Sequence, residues 1–137
     1  MRALLDLQIR RDLAGESGLS DADYDVLSNL SETLGHRLRL KDLATQMLWS
    51  SSRLSHHISR MQKRGLVTRE SDPSDARGAV IVLTQSGWKE VRRAAPLHVE
   101  SVRRHFIDLL DRTQLEILGD VSDRIVSHLN DQRQETG

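Results

Sequence analysis

The chain has 137 residues, enough for one domain with a sizeable core, and that core must be aliphatic because only 3% of its residues are aromatic. It contains no cysteine, which excludes disulfides, thiolate metal ligands and cysteine-based redox switches. No apolar run approaches the ~20 residues of a membrane span, and no signal-peptide core follows the N-terminus. We therefore expect a soluble, cytoplasmic protein.

The formal net charge of zero conceals a segregation of charge along the chain. Residues 37–93 carry 12 lysines and arginines against 5 acidic residues, whereas residues 1–36 carry 3 against 7 and residues 94–137 carry 5 against 8. Concentrated positive charge is what neutralisation of nucleic-acid phosphates requires. The middle of the chain therefore suits a nucleic-acid partner.

Two helices are predicted before the basic segment. Leucines and an isoleucine at helical spacing predict the first over Met1–Leu13, ending at Ala14-Gly15. Ser20 then caps a second helix whose first turn is acidic, which suits the positive end of the helix dipole. Its expected buried stripe is Tyr24, Leu27, Leu30 and Leu34. Gly35-His36-Arg37 ends this helix, and Leu38-Arg39 fits a short strand beside a hairpin.

The basic segment predicts a helix, a tight turn, a second helix and a hairpin. The first helix is Leu40–Met47, and Leu48–Ser51 is a turn whose serines can cap the next helix, Ser52–Arg64. Gly65 then provides a left-handed C-cap. Two runs rich in Val, Ile, Leu and Thr follow, residues 66–71 and 79–84, joined by a turn-rich tip over residues 72–78. A helix-turn-helix with a two-stranded wing is a DNA-reading unit.

The last third of the chain predicts two more helices. One begins near a cap at Thr84 or Ser86 and continues through Pro96 toward Leu110, with a bend at the proline. After a break at residues 111–113, Thr113 and Glu116 have the type and spacing of a capping box. The final amphipathic helix is expected to reach about His128–Asn130, and the polar tail of residues 131–137 is expected to fray.

These elements predict one mainly α-helical domain with a small β-hairpin: a winged helix-turn-helix lobe at residues 20–92, flanked by helices at residues 1–16 and 95–130. The flanking helices carry apolar faces wider than exposed helices need. They could cover one another within a monomer. We favour a homodimer, because pairing two half-sites multiplies DNA affinity.

Three short motifs follow one another in register: Gly65–Arg69, Asp72–Arg77 and Val82–Gly87. They match G-L-V-x-R, D-P-x-D-x-R and L-T-x-x-G of the MarR family of winged-helix transcriptional regulators, which the chain resembles over about residues 4 to 129. The resemblance implies an obligate homodimer built by the first and last helices, recognition helices in adjacent major grooves and wings in the flanking minor grooves. It also implies binding to double-stranded DNA, and many relatives are repressors that small, often aromatic or phenolic, effectors release.

The predicted recognition helix carries candidate DNA contacts on the face opposite its apolar stripe. Side chains near its N-terminus reach base edges deepest, and an arginine there can take a bidentate contact to guanine. The base-reading candidates are Ser52, Arg53, Ser55 and His56. The candidates for phosphate contacts are Ser50, Ser51, Arg60, Lys63 and, on the preceding helix, Lys41, with Arg37 and Arg39 adding a basic rim. The alternative for each is a solvated polar face.

Arg77 is the sharpest single candidate, because an arginine at a wing tip can enter a narrow A·T-rich minor groove. By resemblance, Asp75 holds this arginine by hydrogen bonds; the alternative is an exposed ion pair of little value. His57 lies close to the apolar stripe, so we interpret it as a half-buried, hydrogen-bonded histidine. Adjacent His56 and His57 point about 100° apart, and no metal site or other cofactor is predicted.

By resemblance, a ligand pocket is expected where the flanking helices meet the DNA-reading lobe. Its candidates are Tyr24, His36, Met47, Trp49 and Trp88. The alternative is that these side chains are ordinary core residues, and with so few aromatics a stacking cage is not supported.

An enzyme is the first competing class, and the sequence argues against it: there is no Gly-rich phosphate loop, metal-ligand cluster or nucleophile setting. The second is an architectural or protein-interaction winged helix without sequence reading. An interaction module would not need the basic segment together with Arg53, His56 and Arg77. An architectural binder would keep the salt dependence but show little preference between sequences.

Overall fold

The structure is a computed structural model that describes all 137 residues. It contains six helices and three strands: α1 (Arg2–Ser17), α2 (Asp21–Ser31), β1 (Arg37–Arg39), α3 (Leu40–Met47), α4 (Ser51–Lys63), β2 (Val67–Asp72), β3 (Asp75–Leu83), α5 (Gln85–His105) and α6 (Arg112–Thr136). Residues 1–101 and 102–137 form two compact units. None of the helices is both long and apolar enough to span a membrane. The predicted mainly helical, winged-helix fold is confirmed.

The sheet is antiparallel with the strand order β1-β3-β2. Strand β3 is central, and its Ile81 lies opposite Leu38 on one side and Arg69 on the other. The short strand predicted at Leu38-Arg39 is therefore confirmed, and it turns the hairpin into a three-stranded wing.

The core of the first unit lies where the helix-turn-helix packs against α2 and the sheet. Helical spacing predicts Leu27, Leu30, Leu43, Leu54, Ile58 and Met61 among its fully buried side chains, and Leu13, Leu19, Val26, Val67 and Ile81 complete them. Removing such aliphatic surface from water is the main stabilising contribution to the lobe. It also fixes α4 with one face inward and the other exposed.

The start of α5 is attached to the sheet through Thr84 and Gly87. The Thr84 hydroxyl accepts a hydrogen bond from the Gly87 N–H at 3.0 Å and lies 2.9 Å from the Leu66 carbonyl oxygen. A Cβ atom on Gly87 would collide with that carbonyl oxygen. The close approach of α5 to the start of β2 therefore requires glycine at this position, and of the two predicted caps Thr84 is the one used.

Several predicted ends differ from the structure. Helix α1 continues to Ser17, because Gly15 does not break it and the chain turns only at Gly18. Helix α2 stops at Ser31, and a 3-10 turn over Leu34–His36 leaves Leu34 98% exposed instead of buried. The predicted stripe was extended one turn too far, because helical spacing alone does not show where a helix ends.

The second unit contains the end of α5, a 3-10 turn at Ile107–Leu109 and α6. Asp111 and Gln114 form the capping box of α6, two residues before the predicted pair, because an aspartate caps as well as a threonine does. The helix also runs on through Thr136, so the tail predicted to fray is helical. Its residues 131–136 include straight-chain Gln, Arg and Glu and no Gly or Pro, which favours the helix.

Candidate nucleic-acid interface

The turn of the helix-turn-helix presents α4 with a capped N-terminus and one exposed polar face. Ser50 is its N-cap, and the Ser50 hydroxyl accepts a hydrogen bond from the Arg53 N–H at 3.2 Å. Leu54, Ile58 and Met61 are buried beneath the helix. The side chains left on the exposed face are Ser52, Arg53, His56, Ser59, Arg60 and Lys63. Apart from Ser55, which is half-buried, the predicted outward positions of this helix are exposed as expected.

A cleft of about 600 Å³ separates the N-terminal ends of α3 and α4 from the wing. Five of the predicted DNA contacts line this cleft together: Lys41, Ser51, Ser55, Asp75 and Arg77. The lining includes hydroxyls and cations from both the helix-turn-helix and the wing, together with the carboxylates of Asp42, Asp72 and Asp75. The hydroxyls and cations are groups that donate hydrogen bonds to phosphate oxygens.

The tip of the wing is irregular over residues 72–78, as predicted. Strand β2 runs to Asp72 and β3 begins at Asp75, but the register shifts between Ser71, which pairs with Ala79, and Asp72, which pairs with Asp75. The Asp72 carboxylate fixes the turn by accepting hydrogen bonds from the N–H and the hydroxyl of Ser74 at 2.9 and 2.8 Å. Arg77 lies within the irregular part of β3 left between these two pairs, where it is exposed beside the cleft.

Asp75 contacts Arg77 through the backbone. The Asp75 carboxylate accepts a hydrogen bond from the Arg77 N–H at 3.0 Å, a turn-like contact two residues along the chain. It therefore shapes the segment that carries the arginine. The expected hydrogen bond between Asp75 and Arg77 is present, and it is made to the backbone of the arginine.

The turn at the tip of the wing is held by Arg39, one of the two arginines predicted to add a basic rim. Arg39 lies 3.2 Å from the Asp72 carboxylate through Nε and donates a hydrogen bond to the Ser74 hydroxyl at 2.8 Å. Hydrogen bonds from Ser74, together with the Arg39 charge, lower the pKa of the Asp72 carboxyl. Arg37 is paired with Glu70 at 2.7 Å. Both arginines thus stabilise the wing itself.

Arg69 belongs to the first of the three motifs, but the sequence pattern does not single it out as a site residue. From β2 it donates hydrogen bonds to the hydroxyl and carbonyl oxygens of Ser55 at 3.1 and 3.0 Å, and so braces the middle of the recognition helix against the wing. The two-residue period of a strand places Arg69 on the same face as buried Val67. A cation at such an inward-facing position was the signal that could have found it.

Two exposed arginines of α4 are held by aromatic neighbours. The Arg53 guanidinium lies 3.6 Å from the centre of the Trp49 ring, a cation–π contact. The Arg60 guanidinium donates to Nδ1 of His57 at 3.2 Å, and the His57 ring meets Trp49 edge-on at 5.8 Å. His57 is only 7% exposed, as expected for a buried histidine rather than a DNA contact. Trp49 and His57 thus form a support beneath both arginines.

The other side of His57 faces a buried carboxylate on α2. Nε2 of His57 lies 3.0 Å from Oδ1 of Asp23 but is too poorly aligned for a full hydrogen bond, and Arg64 donates to Oδ2 of Asp23 at 2.7 Å. Burial raises the pKa of Asp23, but the hydrogen bonds from Arg64 and from the Ser20 N–H outweigh it and lower the pKa overall. Burial lowers the pKa of His57 despite the nearby Asp23 carboxylate.

The five predicted ligand residues lie in separate places. Tyr24 contacts His98 at 4.6 Å between ring centres, His36 stacks on Trp88 at 4.8 Å, and Trp49 lies beneath Arg53. Met47 is a half-buried side chain packed on the core. The structure therefore does not bring the five residues into one pocket.

Tyr24 lines a partly open cavity of about 230 Å³ between α1, α2 and α5. Its lining side chains are Asp6, Ile9, Arg10, Leu13, Asp21, Tyr24, Asp25 and His98. Nδ1 of His98 is buried without a hydrogen-bond partner, and burial raises the pKa of the Tyr24 hydroxyl. Arg10 lies 3.4 Å from Asp21, which leaves carboxylates in excess in the cavity wall.

Known proteins are similar to this chain in both sequence and fold. A family model described as MarR family matches residues 17–78. AbsC, a MarR family transcriptional regulator from Streptomyces coelicolor, is 47% identical, with a TM-score of 0.86 over 94% of this chain and 86% of that one. Sco3205, a MarR family regulator from the same organism solved in complex with DNA, is 39% identical, with a TM-score of 0.84 over 92% of this chain and 79% of that one.

Curated relatives agree with these structures. HosA, a transcriptional regulator from Escherichia coli O111:H-, is 35% identical over 100 residues, which are 72% of this chain and 71% of that protein. In a second curated regulator, at 26% identity, the match spans 66% of that protein's length, just under two thirds. Proteins of this group are transcription factors rather than enzymes. The chain belongs to the MarR family of transcriptional regulators.

Proposed function

We propose that the protein is a sequence-specific repressor that binds a palindromic DNA operator as a homodimer. The observation that carries this proposal is the juxtaposition of the exposed polar face of α4 with the cleft that Lys41, Ser51, Ser55, Asp75 and Arg77 line together. In this assignment α4 enters the major groove, where Arg53 and His56 read base edges. Arg77 enters the adjacent minor groove, and Ser50, Ser51, Ser52, Lys41, Arg60 and Lys63 complete the footprint.

The homodimer is supported by apolar surface that the chain leaves uncovered. Along α6, Leu118, Val121, Ile125 and Leu129 recur at helical spacing, and each remains between 37% and 54% exposed. Met1 and Leu4 of α1 are 93% and 74% exposed. Contiguous apolar patches on a water-soluble chain mark protein–protein contacts, and a two-fold dimer would pair two recognition helices with two half-sites.

Because the operator is unknown, the test is selection from a random DNA library. The wild-type protein is expected to enrich a two-fold symmetric sequence whose half-sites lie about one helical turn apart. Enrichment of unrelated sequences, with binding that depends on salt alone, would indicate an architectural binder instead. A reporter driven by a promoter that overlaps the selected operator should then be repressed, and activation would contradict the repressor assignment.

We further propose that the cavity beside Tyr24 receives a small effector that releases the DNA. Its volume of about 230 Å³ admits a ligand of roughly one ring. The excess of carboxylates over the single Arg10 favours a neutral phenol or an aromatic amine over an aromatic carboxylate. The His98 ring also lines the cavity, and its Nδ1, which is buried without a hydrogen-bond partner, would gain one if a hydroxyl or amine group displaced the side chains that cover it.

The effector proposal is tested by release of the operator complex with a panel of single-ring phenols, amines and carboxylates. Filling the cavity by Leu13→Phe should abolish the response to an active compound and leave operator binding intact. Trp88→Phe, at the separate His36 stack, is the matched control and should respond as the wild type does. If only the Trp88 variant lost the response, the effector would bind at the His36–Trp88 stack and not in the cavity beside Tyr24.

A further inference from the structure

The buried link between α2 and the recognition helix is not part of the surface that would touch DNA. Asp23 is 3% exposed and lies at the third position of α2, where its carboxylate accepts a hydrogen bond from the Ser20 N–H at 3.0 Å. The same carboxylate accepts a hydrogen bond at 2.7 Å from Arg64, the C-cap residue of α4, and faces His57 of α4 at 3.0 Å. A single side chain therefore caps one helix and holds another.

From His57 the contacts continue to the exposed face of α4. Its Nδ1 accepts a hydrogen bond from Arg60, so the ring proton lies on Nε2, which is the nitrogen that faces Asp23. The edge of the same ring packs on Trp49, and Trp49 lies under the Arg53 guanidinium. Asp23 is thus connected in two steps to Arg60 and in three to Arg53.

The other contacts of α4 restrain it less at its C-terminal end. Arg69 holds Ser55 near the start of the helix by hydrogen bonds, while Leu54, Ile58 and Met61 make aliphatic contacts, which are not directional. A charge-assisted hydrogen bond has a defined length and angle, and a buried carboxylate that loses its partners is strongly unfavourable. The hydrogen bond from Arg64 to Asp23, with the Asp23 carboxylate packed against His57, therefore limits rotation and sliding of α4 at the end that Arg69 does not hold.

We propose that Asp23 is a positioning residue for DNA reading, which holds α4 through His57 and Arg64 in the orientation that presents Arg53 and Arg60 to the grooves. The inference rests on the proposed DNA-binding function. The turn that carries Asp23 also carries Asp21, Tyr24 and Asp25, which line the cavity. A ligand that displaces this turn would thereby move the carboxylate that orients the recognition helix.

The test compares Asp23→Asn with Glu32→Gln. Both substitutions remove one negative charge from α2 or its cap, but Glu32 is exposed at the C-terminal end of the helix and does not line the cavity. Two quantities are measured on each folded protein: hydrogen exchange of the α4 amides without DNA, and the operator Kd. Asp23→Asn should speed α4 exchange about tenfold and raise the Kd about tenfold, as when one molecule in ten is competent, while Glu32→Gln stays near the wild type.

A stabilising role without positioning gives a different pattern. It would lower Tm and speed exchange in every element of the first unit, with the Kd of the folded protein unchanged, and that result would overturn the proposal. If Asp23→Asn does not fold, Arg64→Gln keeps the α2 cap and should give the same α4-specific change. Its Kd should rise with an unchanged salt slope, because Arg64 acts through Asp23 and not through a phosphate.

The two proposals fail separately. If the wild type binds no operator, the proposed function is wrong, and α4 exchange still decides whether Asp23 holds the helix. If the wild type and Glu32→Gln bind tightly and Asp23→Asn binds equally well with unchanged α4 exchange, only the positioning role is wrong.

Discussion

At the scale of single residues, the arginines around the wing divide into those whose side chains bind other residues of the protein and those whose side chains remain free to bind a partner. Arg37, Arg39 and Arg69 are bound by Glu70, by Asp72 and Ser74, and by Ser55, respectively. Arg77 lies beside the same cleft with only its backbone N–H bound to Asp75. All four residues are positively charged, so charge alone does not distinguish a structural arginine from a candidate DNA contact. The hydrogen-bond and ion-pair partners of each side chain do.

The first residue-scale prediction concerns Arg77→Ala. Loss of a minor-groove arginine should weaken operator binding by about 1–3 kcal/mol, with an unchanged circular dichroism spectrum. Arg37→Ala is the matched control, since it removes an exposed arginine of the neighbouring strand that pairs with Glu70. Its effect on operator affinity should be small, and equal losses in both variants would contradict a specific role for Arg77.

A second prediction concerns pH and His57. Burial lowers the pKa of this ring in the folded protein, so the unfolded chain binds the proton more readily. The free energy of unfolding should therefore fall as the pH drops below the ordinary histidine pKa of about 6.5. Urea unfolding at pH ~7.5 and ~5.5 measures the loss, and His57→Gln should lose less stability over that interval. An identical loss in both proteins would contradict the assignment.

At the scale of elements, apolar side chains at 3.6-residue spacing predicted all six helices, because such spacing places them on one face of a helix. The same spacing located the buried faces of α3 and α4. Ends were less predictable. Leu34 continues the stripe of α2, yet the chain has already left the helix there, and the competition between Asp111 and Thr113 as cap depends on local geometry.

The candidate site was predictable to a similar degree. The exposed face of α4 follows from its helical period, and Lys41, Ser51, Ser55, Asp75 and Arg77 do meet at one cleft. The link from Asp23 to His57 was not predictable, because it joins residues 34 positions apart through a carboxylate that also fits a simple capping box. A residue with two roles shows only the local one in a sequence.

An element-scale prediction follows from the contact between α5 and β2. Gly87→Ala should destabilise the fold by about 1–3 kcal/mol, because the added methyl group collides with the Leu66 carbonyl oxygen. Gly15→Ala, at a helical position with open space around it, should instead stabilise the fold by about 0.5–1 kcal/mol. Chemical unfolding measures both changes, and the same sign at both sites would contradict the packing.

At the scale of the whole molecule, charge and exposed apolar surface are distributed differently. The basic residues concentrate in residues 37–93, where the helix-turn-helix and wing lie, while α6 leaves its apolar stripe uncovered. A formal net charge of zero is therefore compatible with DNA binding, because the cations are concentrated where a polyanion would bind. The basic segment also carries most of the stretch that matches the MarR family model.

The whole-molecule prediction is that two copies associate through α6. Sedimentation equilibrium of the wild type should give twice the chain mass of 15.6 kDa. Ile125→Asp places a charge in the apolar stripe and should shift the protein toward monomer, with weaker operator binding. Ser127→Asp places the same charge on the opposite side of the helix and should remain dimeric. A monomeric wild type would remove the proposed dimer.

The most direct test of DNA reading is fluorescence anisotropy with the DNA upstream of the protein's own gene, or the selected operator, against a scrambled duplex over a salt series. We expect the protein to bind its operator about 10³-fold or more tightly than the scrambled duplex, and to lose affinity steeply as the salt concentration rises. Equal, weak affinity for the operator and the scrambled duplex would contradict sequence-specific regulation, and no binding at low salt would contradict DNA binding altogether.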